Sequence, residues 1–86
     1  MSTIGVHPRI HQRHPELTDE DVVAAMRGML RYQQRTSGEW IAIGLDAKGR
    51  LVELVYQYDS EADYFLVFHG MVPPSRKTLR ELGMKR

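Results

Sequence analysis

The chain contains no cysteine, which removes disulfides and thiolate metal ligation at once. Small secreted domains commonly offset a thin core with disulfides, so their absence favours a cytoplasmic protein. No apolar run approaches the roughly 20 residues that span a bilayer. The N-terminal MSTIGVHPRI also lacks the basic start and apolar stretch of a signal peptide. A soluble chain with no membrane partner is expected. Gly-rich phosphate loops, a GxSxG elbow and an HExxH helix are missing too, which argues against nucleotide-cofactor and redox enzymes. No cofactor is expected. Charge of one sign is equally scarce: the net value is +1, too small to mark a nucleic-acid binder by itself.

The distribution of charge is more informative. Residues 1–14 carry Arg9 and Arg13 with no acid, and residues 70–86 carry Arg76, Lys77, Arg80, Lys85 and Arg86 against Glu81 alone. Residues 36–69 hold six acids against Lys48 and Arg50. Basic ends brought together in space would make a positive face suited to phosphate, while dispersed they would only keep the protein soluble.

Eighty-six residues set one domain, 1–86, without room for a second core. Pro8 can open a short helical turn, PRIHQRH, which Pro15 ends near His14. Thr18 is a natural N-cap, followed by Asp19, Glu20 and Asp21 at the positive helix end. Val22, Met26, Met29, Leu30 and Gln33 continue at three- and four-residue steps, so the spacing predicts a long helix from Asp19 to Gln34.

The period then changes to two. Strands are expected over Trp40–Leu45, Leu51–Tyr58 and Tyr64–His69, with a hairpin turn at Gly49. The third run is apolar on both faces and is expected to be the central or most covered strand. Pro73 and Pro74 stop pairing, and Ser75 caps a last helix that Gly83 ends. The fold class is α+β: a helical turn and a long helix packed on a three-stranded antiparallel meander, then a short basic helix.

His69 is the first candidate for chemistry. It ends an apolar strand beside a glycine, where a general acid or base would be held firmly with its tip accessible. A histidine there can equally be a hydrogen-bonded structural residue. Arg76 and Arg80, four apart on a helix, could clamp a phosphate and stabilise developing charge, or form a solvated basic face. His7, His11 and His14 share a helical stripe, but no nearby carboxylate completes a zinc site. A phosphate-facing basic turn or a plain surface is the better reading, and no metal is expected. Trp40, Tyr56, Tyr58 and Tyr64 could stack on bases or fill the core.

With these residues in view, the chain resembles the BrnT-like branch of the RelE-superfamily ribonuclease toxins, and a related group of small proteins with the same element order. The resemblance runs through HPRIHQRH, ELTDEDVVAAM, WIAIGLDAKGRLVELVY, the strand end FHGM and SRKTLRELG. It implies a metal-independent endoribonuclease toxin that cuts mRNA and is neutralised by a cognate antitoxin. His69, Arg76 and Arg80 would be catalytic, with Lys77, Arg9, Arg13, His11 and His14 holding RNA phosphate. Two alternatives stay open: a non-catalytic module of the same fold that binds nucleic acid or protein, and a homodimer joined through Trp40 and the strand aromatics.

Overall fold

A computed structural model describes residues 2–84 of the chain; Lys85 and Arg86, counted above among the C-terminal cations, lie outside them. The elements are β1 (Thr3–Val6), α1 (Arg9–Arg13), α2 (Asp19–Arg27), β2 (Met29–Gln34), β3 (Trp40–Leu45), β4 (Leu51–Asp59), β5 (Tyr64–Met71) and α3 (Arg76–Glu81). One mixed sheet runs in the order β1-β5-β4-β3-β2. Strands β2 to β5 form an antiparallel meander, and β1 joins β5 in parallel. No helix among the described residues is long and apolar enough to cross a membrane.

Two expectations are corrected. The helix expected to reach Gln34 ends at Arg27, where Gly28 donates its N–H to the Ala24 carbonyl. Residues Met29–Gln34 turn into an edge strand on β3. The three-stranded meander is thus a five-stranded mixed sheet, whose central strand is β4 rather than β5.

The start of α2 follows its sequence signals. Thr18 Oγ1 accepts the Asp21 N–H while the Asp21 carboxylate accepts the Thr18 N–H, a reciprocal cap. Asp21 also receives Lys48 and Arg50 from the β3–β4 turn, and Arg50 grips Asp46. The hairpin is thereby pinned to the helix.

Alternation divides the core in two. On one face Ala42, Val52, Leu54, Tyr56 and Val67 pack against Ile10, Leu17, Val22, Ala25 and Met26. On the other, Ile41, Ile43 and Val55 meet Leu79 and Leu82. Helix α2 approaches the sheet closely at Gly44, where an added Cβ would stand 2.0 Å from the Ala25 carbonyl oxygen.

The ladder between β4 and β5 slips once. Val55 pairs with His69 and Tyr56 with Val67, leaving Phe68 unpaired in a β-bulge. Phe68 packs with the cluster under α3, and the adjacent His69 bonds Glu53 on that same side.

Candidate active site

The bulge shapes a groove of about 390 Å³. Val55, Phe68, His69 and Gly70 of the sheet, Arg9, Ile10, Arg13 and His14 around α1, and Ser75, Lys77 and Thr78 around α3 line it, with Arg35 and Glu39 at the β2–β3 turn. Strand β1 stops at Val6, opposite Val67. Beyond that point α1 packs against β5 instead of another strand, which brings its basic side chains to His69.

His69 is partly exposed, and its Nε2 lies 2.8 Å from Oε2 of the buried Glu53. The other oxygen of Glu53 accepts the backbone N–H and the hydroxyl of Ser75, both at 2.9 Å. Burial alone would push the Glu53 carboxyl up. The hydrogen bonds from His69, Ser75 and Thr78 outweigh it and hold the pKa at about 2. Glu53 is thus ionised at neutral pH, and the His69 Nε2–H donates to it. In neutral His69 the proton sits on Nε2 and the lone pair on Nδ1, which is the arrangement a general base needs.

His14 closes the other side. Its ring stands edge-on to His69, with centroids 6.5 Å apart and planes at 86°. Two imidazoles thus line one groove with Arg9, Arg13 and Lys77.

Not every sequence-level candidate converges here. Arg76 and Arg80 are exposed on α3 and do not line the groove. His11 turns away: Nδ1 bonds the Leu17 carbonyl and Nε2 the Asp19 carboxylate. Asp19 first, then the Leu17 carbonyl, raises the His11 pKa above its ordinary value. His7 accepts the Arg9 N–H through Nδ1. Among the described residues no group of three or more His, Asp or Glu is placed to hold a metal ion.

Glu53, Ser75, Arg35 and Glu39 were not singled out from sequence as site residues. A lone acid inside LVELVY was the available signal for Glu53, since an acid in an apolar strand needs a partner when buried. Arg35 forks onto Glu81 at 2.9 and 3.0 Å and reaches Glu39 at 3.5 Å. Its place follows from β2 being a strand, which the helical reading concealed.

Comparison with known proteins finds no counterpart: no family model, no curated protein and no solved structure matches the chain.

Proposed function

We propose that the chain is a toxin-type, metal-independent endoribonuclease that cleaves mRNA in the cytoplasm and is neutralised by a cognate antitoxin. The observation that carries this reading is the pair of histidines in one cationic groove, one of them backed by an ionised buried carboxylate. RNA is cleaved without metal when its own 2′-hydroxyl attacks the adjacent phosphorus. That reaction needs a base, an acid and positive charge.

His69 Nδ1 takes the 2′-hydroxyl proton as the 2′-oxygen–phosphorus bond forms, and Glu53 stabilises the resulting imidazolium. Protonated His14 gives its proton to the departing 5′-oxygen as the phosphorus–oxygen bond breaks. Lys77, Arg9 and Arg13 offset the charge gathering on the phosphoryl oxygens. The products are a 2′,3′-cyclic phosphate and a free 5′-hydroxyl. Arg76 and Arg80, on the exposed side of α3, serve flanking RNA phosphates rather than the reacting one.

Induced expression of wild type and His69→Ala in a bacterial host tests this. Wild type is expected to stop growth and degrade bulk mRNA, and the variant to do neither. Harmless wild type at high soluble expression would sink the ribonuclease reading and leave a nucleic-acid- or protein-binding module.

A further inference from the structure

We infer that the groove selects guanine as the base 5′ to the cleaved phosphate, with Glu39 reading the base and Phe68 supporting it. This inference rests on the ribonuclease reading and adds a substrate preference to it.

The groove has two chemically different ends. Arg9, Arg13, His14 and His69 gather where α1 packs on β5, and Arg35 and Glu39 stand two strands away at the β2–β3 turn, with Lys77 entering from α3. Val55, on the strand between them, and Phe68, next to His69 on β5, line the sheet side of the groove, its floor. A phosphate belongs at the cationic end, so the attached base must lie along the floor toward Glu39. The bulge brings Phe68 to this floor, where its ring offers the face on which a base of any identity stacks. Glu39 precedes Ile41 by two residues, and Ile41, Val55 and His69 are in register across three strands. Strand rise and spacing then put the Glu39 and His69 Cα atoms about 12 Å apart, a span for one nucleotide rather than two.

Two carboxylates line the groove, and they differ in what they have left to give. Glu53 is buried and committed to His69 and Ser75. Glu39 keeps about a quarter of its side chain exposed, 23%. Ser37 donates to one of its oxygens at 2.6 Å and Arg35 reaches the other at 3.5 Å. Each carboxylate oxygen has a second acceptor site. The Ser37 hydroxyl first, then the Glu39 backbone N–H, and after them Arg35 lower the Glu39 pKa, which keeps it acceptor-only at neutral pH.

An acceptor-only group with two parallel oxygens discriminates among bases by donor pattern. Guanine alone presents two adjacent donors, N1–H and the N2 amino group, on its Watson–Crick edge. Adenine and cytosine set an amino group beside an acceptor, and uracil flanks its single N–H with two acceptors. Against those three bases the carboxylate meets at least one lone pair, which costs affinity because the wrong pair is both unmade and repulsive.

Calorimetry with guanosine 3′-monophosphate, adenosine 3′-monophosphate and inorganic phosphate tests this without requiring turnover. Wild type is expected to bind the guanosine nucleotide about tenfold or more tighter than the adenosine one, the scale of hydrogen bonds to a charged acceptor. Glu39→Gln, which replaces one acceptor with a donor, should bring the two nucleotides within about threefold and leave inorganic phosphate unchanged. Phe68→Leu should weaken both nucleotides and spare inorganic phosphate. Equal binding of both nucleotides by wild type, or guanosine preference retained in Glu39→Gln, would overturn the inference while leaving the ribonuclease reading intact. Failure of all three probes to bind would remove the phosphate end, and with it both claims.

Discussion

Glu53 and His69 meet across the β4–β5 ladder with 2.8 Å between Oε2 and Nε2, although they are not register partners: Glu53 faces Met71, and His69 faces Val55. The diagonal contact forms beside the Phe68 bulge, and the Ser75 cap of α3 secures the second Glu53 oxygen. One buried carboxylate thus orients the imidazole and anchors the last helix.

Glu53→Gln should therefore act through the His69 tautomer. The Ser75 donors will hold the amide oxygen, so the amide nitrogen faces His69 Nε2 and turns it into an acceptor. The ring proton then moves to Nδ1, and the base loses its lone pair toward the groove. Cleavage is expected to fall by roughly 10²–10⁴, the span of general acid–base catalysis, with phosphate affinity near wild type. Nitrogen chemical shifts of His69 should report the tautomer change. Unchanged shifts with full activity would refute this role for Glu53.

The cations should divide by position. Lys77 lines the groove, whereas Arg76 and Arg80 do not. Lys77→Ala is expected to lower kcat by roughly 10²-fold, as for loss of one charge-stabilising donor. Arg76→Ala and Arg80→Ala should leave kcat nearly intact, weaken RNA binding, and each reduce the salt dependence of binding by about one phosphate contact. Equal kcat losses in all three variants would contradict the division.

What could be read from sequence follows the range of the interactions. The Thr18 and Ser75 caps and the β3–β4 hairpin are local, and each stands where its residues place it. The β1–β5 pairing joins Thr3 to Tyr64, and four residues with a glycine among them carry too little alternation to announce a strand. Met29, Leu30 and Gln33 fit a helical period, yet pairing with β3 prevails once Gly28 breaks the helix. That glycine was the legible warning, since an isolated Gly inside a helical pattern lowers its stability. His69, His14 and Lys77 could be picked out as residue types, but their meeting depends on a bulge and on where β1 ends.

Gly44 tests how tightly α2 sits on the sheet. A Cβ there would overlap the Ala25 carbonyl, which is backbone and cannot rotate aside. Gly44→Ala is expected to cost about 3 kcal/mol or more, at the upper end of overpacking effects. Chemical denaturation would measure the loss. A stability within 0.5 kcal/mol of wild type, the scale of a neutral surface change, would mean that the helix can lift without penalty.

Acid should unfold the protein through two carboxylates in particular. Hydrogen bonding from Lys48 outweighs burial at Asp21 and brings its pKa from 3.8 to about 2, and Glu53 falls from 4.5 to about 2. Both folded-state values lie below the unfolded ones, so each group contributes stability in full above its unfolded pKa. The contribution declines as pH falls below about 4.5 for Glu53 and about 4 for Asp21, and is lost once pH passes below 2. The shifts correspond to stability on the order of 2 kcal/mol for Asp21 and 3 kcal/mol for Glu53 at neutral pH. Urea unfolding between pH 7 and pH 2 should show this fall. Glu53→Gln and Asp21→Asn should each be less stable than wild type at pH 7, and the differences should shrink toward pH 2, where the wild-type carboxyls are themselves becoming neutral. A difference that stays constant down to pH 2 would assign the loss to altered packing rather than to the ionised carboxylates.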